Sequence, residues 1–119
     1  MHAYTRALVA AAAYALVSGR KVAGVYDHAG GRHLRIAAEA RDGHVQGYDG
    51  DRAVRFGGSL PELRDVGVGT AIHMTVDGAT VRGFDRGAAG HFTGEVTDGT
   101  VQLYVHAEGV WYAFGIQSV

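Results

Sequence analysis

From about residue 33 onward, apolar and polar residues alternate in short runs, as they do in strands with one buried and one solvated face. Leu34, Ile36, Ala38 and Ala40 share one parity, followed by Val54 and Phe56, by Ile72, Met74 and Val76, and by Phe92 and Val96. Val101, Leu103 and Val105, then Tyr112, Phe114 and Ile116, complete this set, which is expected to form the core. The opposite parity carries His33, Arg35, Glu39, Arg41, His73, Thr75, Arg82, Phe84, Arg86, His91, Thr93, Glu95, Thr97, Gln102, Tyr104, His106 and Trp111. That face is polar yet rich in rings.

One segment breaks the alternation. Ala7 to Val17 is apolar without interruption for roughly three helical turns, well short of the about 20 residues that span a bilayer. Gly19 followed by Arg20 and Lys21 makes a helix stop. The sequence therefore predicts a structural helix within residues 1–19. Its alanine-rich body is thin enough to lie against a sheet or plug the mouth of a barrel, with Leu8, Leu16 and Val17 supplying bulk. Arg6 before the apolar run, and the small-x-small pattern Ala13-Tyr14-Ala15, also fit a secretory signal peptide. A cytoplasmic location is favoured, with secretion the alternative if residues 1–15 act as such a signal.

The strand region repeats. Segments 23–36 (AGVYDHAGGRHLRI), 45–58 (VQGYDGDRAVRFGG), 81–94 (VRGFDRGAAGHFTG) and 101–114 (VQLYVHAEGVWYAF) align without gaps. Tyr26, Tyr48, Phe84 and Tyr104 form one column, Asp27, Asp49, Asp85 and Val105 the next, and His33, Arg55, His91 and Trp111 another. The copies are 22, 36 and 20 residues apart, which makes a tandem pair of pairs. Asp42-Gly43, Asp77-Gly78 and Asp98-Gly99 mark tight hairpins, and the aspartates of the repeat suit turns because Asp hydrogen-bonds its own backbone there. The wider gap holds Ser59-Leu60-Pro61-Glu62, which fits a capping box for a single helical turn, and then an alternating strand over 71–76. The expected fold is all-β: an N-terminal α-helix packed on an antiparallel, barrel-like meander of about nine short strands, built from four hairpin repeats in two tandem halves. Residues 1–119 are read as a single domain, with the helix at 1–19, a first repeat half at 20–66 and a second at 67–119.

Composition agrees and narrows function. Nineteen glycines, one proline and few leucines suit short strands and tight turns. The absence of cysteine excludes disulfides, thiolate metal sites and a cysteine nucleophile. A formal net charge of -1 with interspersed signs argues against a nucleic-acid partner. Seven histidines are many, and His33 with His91, and His28 with His106, hold equivalent repeat positions. No HxH or HExxH spacing accompanies them, so no metal or other cofactor is expected. Ser18, Ser59 and Ser118 lack a nucleophile elbow, and the acids Glu39 and Glu95 occupy roughly matching stretches of the two halves at an unknown separation. The Gly30-Gly31 and Gly57-Gly58 pairs are read as turns and bulges, and no catalytic residue is assigned.

The first functional reading is a non-catalytic binding module, with Tyr26, Tyr48, Phe84, Tyr104, His33, His91, Trp111 and Arg55 taking a small ligand by stacking and forked hydrogen bonds. A second is a self-assembling homo-oligomer that uses the helix and the strand edges. A third is a small barrel enzyme. None involves a membrane span.

Overall fold

A computed structural model describes residues 1–119. Helix α1 (Ala3–Ser18) is followed by β1 (Val22–Asp27), β2 (Arg32–Leu34), β3 (Ile36–Arg41), β4 (His44–Asp49), β5 (Val54–Ser59) and β6 (Glu62–Asp65). Strands β7 (Thr70–Asp77), β8 (Thr80–Asp85), β9 (Gly90–Thr97), β10 (Thr100–Val105) and β11 (Val110–Ser118) complete the chain. Every strand pairs antiparallel with its neighbour, and β11 returns to pair with β1, from Val22↔Ser118 to Asp27↔Phe114. The sheet is thus a closed barrel. β2 and β3 lie on either side of Arg35 and both pair with β1, so they form one interrupted stave and the barrel has ten.

Ten staves decide where the helix goes. About eight strands enclose a space that side chains alone can fill, and a wider barrel needs a further filling. Here that filling is α1. Ala7 through Ala15 are each at most 1% exposed, which places every side of the helix against the barrel's inner wall. The helix touches strands around the whole circumference, among them β1, β3, β4, β7, β9, β10 and β11. It threads the barrel rather than lying on a sheet or plugging a mouth. An apolar run with no polar stripe is what a helix buried on all sides requires, and alanine lets ten staves approach it closely. Tyr14 supplies most of the bulk, and its hydroxyl accepts the Gly99 N–H at 3.1 Å. Leu16 and Val17 are only partly buried near the C-terminal end. Gly19 stops the helix at φ 72°, returning its N–H to the Ala15 carbonyl. Residues 1–15 are therefore the axis of the core, and cleavage after Ala15 would empty it.

The four aligned segments each fold as one hairpin with the same pairing. Val25↔Leu34, Gly47↔Phe56, Gly83↔Phe92 and Leu103↔Tyr112 face inward, and Tyr26↔His33, Tyr48↔Arg55, Phe84↔His91 and Tyr104↔Trp111 face outward. A fifth hairpin fills the wide gap, with Leu63↔Ile72 and Arg64↔Ala71 in those places. The helical turn expected at 59–62 does not form. Ser59 ends β5 and Glu62 begins β6, while Leu60 donates its N–H to Gly43 and Pro61 accepts that of Met74. Only Leu60 and Pro61 are left between the two strands, too few residues for a helical turn.

Two inward Gly–Phe pairs set the packing of the wall. A Cβ on Gly47 would lie 2.2 Å from the Phe56 ring, with no other atom so close. A Cβ on Gly83 would meet both the Phe92 ring at 2.3 Å and the His73 carbonyl oxygen at 2.2 Å. Gly47→Ala is expected to cost about 1–3 kcal/mol and to be partly rescued by Phe56→Leu, because the three atoms nearest that Cβ all belong to the ring. Gly83→Ala should resist rescue by Phe92→Leu, since the backbone obstacle stays. Thermal melts of the four variants check the contrast.

Candidate functional site

The aspartates do structural work at one end of the barrel. Asp27, Asp49 and Asp85 each accept the backbone N–H groups two and three residues ahead through Oδ1, fixing the turns after β1, β4 and β8. Asp65, outside the sequence repeat, accepts the Gly67 N–H in the same way after β6. All four are buried. Arg52 joins two of them, placing Nε 2.7 Å from Asp49 and Nη2 2.7 Å from Asp65, while its guanidinium lies 3.9 Å over the Tyr4 ring of the helix. Burial alone would lower the Arg52 pKa, but hydrogen bonds to the two carboxylates outweigh it and raise the value. Neither this triad nor the helix contact is visible in sequence, because Asp65 and Tyr4 come from other elements than the β4–β5 turn that carries Asp49 and Arg52. A second link ties the helix start to the last turn: the Met1 amine lies 3.5 Å from Glu108, Glu108 accepts the Tyr112 hydroxyl proton, and Arg6 covers the Tyr112 ring.

The ring-bearing residues named from the sequence hold equivalent outward positions of their hairpins, but they do not form one site. Phe84, His91, Tyr104 and Trp111 fall together on β8 to β11. His91 meets Phe84 edge-on at 4.8 Å between ring centroids and lies 6.4 Å from His106. His106 stands 5.0 Å from Tyr104, and Tyr104 is 5.0 Å from Trp111. The Thr93 hydroxyl and His106 Nε2 are 2.9 Å apart, which orients that imidazole. Trp111 is half exposed. His106 belongs to this band although it was not among the proposed binders; its repeat position, matching His28, was the signal.

Tyr26 and His33 form a neighbouring cluster with His28, whose ring and that of His33 meet Tyr26 edge-on at 4.9 and 4.7 Å. The two clusters flank the closing seam, where β11 presents only Ala113 and Gly115; a Cβ on Gly115 would lie 3.6 Å from both His28 Nε2 and Tyr26 Cβ. Tyr48 and Arg55 stand elsewhere, in a depression of about 760 Å³ over β3 to β5. A smaller one of about 410 Å³ opens at the barrel mouth beside Tyr4, Asp27, Arg32 and Arg52.

The equivalent histidines do not converge on a point: each packs edge-on to the aromatic ring of its own hairpin. Glu39 and Glu95 lie on β3 and β9, with β1, β11 and β10 between them, too far apart to work as a carboxylate pair. His44 Nδ1 approaches the Ser59 hydroxyl at 2.9 Å, yet no acid hydrogen-bonds the other ring nitrogen to orient it. The self-assembly reading loses both surfaces it named, since the helix is enclosed and β11 pairs with β1 along the seam. No helix is long and apolar enough to cross a membrane.

At the edge of the band, Glu62 receives Arg86 Nη2 at 2.6 Å and His73 Nδ1 at 3.2 Å. The Arg86 hydrogen bond first, and His73 second, hold its carboxyl below the ordinary 4.5. A carboxyl more acidic folded than unfolded stabilises fully above 4.5 and loses that contribution as pH falls through its folded value. Melting temperature followed from pH 6 to 2 should therefore drop less steeply below 4.5 in Glu62→Gln than in the parent. Exposure of the Glu62 side chain to solvent keeps the difference small.

Comparison with protein-family models, with curated proteins and with solved structures finds no match for this chain.

Proposed function

We propose that the protein is a non-catalytic recognition module that binds a carbohydrate chain across the aromatic and histidine band of β8 to β11. One observation carries this reading: the rings of Phe84, His91, His106, Tyr104 and Trp111 form an unbroken series of contacts on the solvent face, ending in a half-exposed indole. Cross-strand packing accounts for the contacts among the rings. It gives no reason to leave the largest apolar side chain of the series half in water, where an indole face costs free energy until something covers it.

Sugars match the chemistry around it. Their C–H faces stack on aromatic rings, while their hydroxyls need neutral donors and acceptors of the kind that Thr93, Gln102 and the imidazoles offer. The band is built on paired strands rather than loops, so little conformational entropy is lost when a ligand settles on it.

Trp111 is the sole tryptophan, which makes its fluorescence a reporter at the band. Titration with cellohexaose, xylohexaose and chitohexaose is expected to give a saturable change with at least one of them. In Trp111→Ala, followed by calorimetry, the affinity should fall at least about tenfold, equivalent to about 1.4 kcal/mol, with the melting temperature unchanged. Absence of saturable binding to all three, or equal affinity in the variant, would refute the assignment.

A further inference from the structure

We infer that the wall over β3, β4 and β5 holds a second and independent site, for a small planar organic carboxylate. One stave, β1, separates it from the ring band on one side and two, β6 and β7, on the other, and it does not depend on that band binding anything. The depression there, of about 760 Å³, is lined by Tyr48 and Arg55.

The backbone creates it. Gly57 and Gly58 adopt φ of 146° and 138°, a region that side-chain-bearing residues avoid. A Cβ on Gly57 would fall 2.2 Å from the Val45 carbonyl oxygen, and one on Gly58 2.6 Å from that of Glu62. Beyond them β5 meets β6 through only two residue pairs, Phe56↔Asp65 and Gly57↔Arg64. The wall is recessed where the glycines bring the chains together, and Ala37 keeps the floor low.

Charge then selects the occupant. Three ionisable side chains with formal charge at neutral pH line the depression: Lys21, Glu39 and Arg55. Lys21 and Glu39 neutralise each other at 3.5 Å. Arg35, Arg52 and Arg86 have carboxylate partners, and Arg64 donates to the Gly69 carbonyl, whereas Arg55 has no acceptor. Its guanidinium is the one uncompensated charge in the depression, and its planar fork fits a carboxylate at two points.

The rest of the lining is half apolar, which suits the body of the ligand. Tyr48, directly across the ladder from Arg55 and 46% exposed, offers a ring face, and Val66 on the facing rim is 64% exposed. A flat body seated between them removes apolar surface from water while its carboxylate meets Arg55. A free inorganic anion would use only the charge and leave both apolar rims wet.

The probe is 2-naphthoate, titrated into the full chain and followed by amide chemical shifts, with neutral 2-naphthamide as comparator. Saturable shifts are expected at Gln46, Gly47, Tyr48, Arg55 and Gly57, with at least tenfold weaker binding of the amide. Arg55→Gln should weaken 2-naphthoate at least tenfold, and Tyr48→Ala should weaken both compounds. Arg82→Gln, at another arginine without an acceptor on β8, should change neither. Both Arg55 and Tyr48 are exposed, so their variants are expected to fold. Shifts confined to the neighbourhood of Tyr104 and Trp111, equal binding of acid and amide, or full affinity in Arg55→Gln would each overturn the assignment.

Discussion

A chain beginning at Gly19 is expected not to fold: its amide spectrum should collapse to narrow dispersion and its melt should lose cooperativity. The reason is geometric. The enclosed part of the helix, nine residues from Ala7 to Ala15, is about 14 Å long and about 10 Å across, displacing on the order of 1000 Å³. An unfilled apolar void costs roughly 24 cal/mol per Å³, so emptying the barrel would cost on the order of 20 kcal/mol, against about 5–15 kcal/mol of stability for a typical domain. Collapse onto the gap would require the closed hydrogen-bonded wall to break. A synthetic peptide of residues 1–19, added to the truncated chain, should restore the dispersed spectrum, because the helix meets the strands through packing rather than through the short covalent link at 19–21. Cooperative unfolding of the truncated chain alone would show that the helix is dispensable.

Arg52→Met is expected to lower stability by about 3–5 kcal/mol, or on the order of 10–20 °C in melting temperature. Asp49 and Asp65 side chains are 4% and 1% exposed, so removing their shared cation leaves two buried carboxylates facing each other with neither water nor counter-charge. The same change frees the Tyr4 ring at the helix start. Adding Asp49→Asn and Asp65→Asn to Arg52→Met should return most of the loss. The amide oxygens can still accept the turn N–H groups, and no buried charge remains. Urea melts of the single, double and triple variants at pH 7 decide it. An Arg52→Met protein as stable as the parent would mean that solvent already screens the pair.

Both effects concern contacts between segments far apart in the chain, which is where the sequence was hardest to read. Parity along the strands picked out Ile36, Phe56, Ile72, Met74, Phe92, Leu103 and Phe114 as inward, and all are buried. It put Phe84, His91, Tyr104 and Trp111 on the outside, where they meet. The fifth hairpin escaped notice because Arg64 and Ala71 stand in its outward positions in place of an aromatic residue and its polar or aromatic partner, and because Ser59 and Glu62 imitate a capping box. Tyr48 and Arg55 occupy the same columns as the ring band, yet closure carries them to the far side of the barrel.

What the sequence determined by itself was local: strands from period-two alternation, turns from Asp-Gly pairs and capping aspartates, a helix with no polar side and its stop at Gly19. Those follow from hydrogen bonding and steric limits within a few residues. The tertiary structure alone decided that ten staves close, that the helix fills the space they enclose, that Arg52 bridges Asp49 and Asp65, and that the outer rings divide into separate surfaces. Closure depends on twist and stagger accumulated over the whole sheet, and only when it is complete is the width of the lumen, and with it the place of an alanine helix, defined.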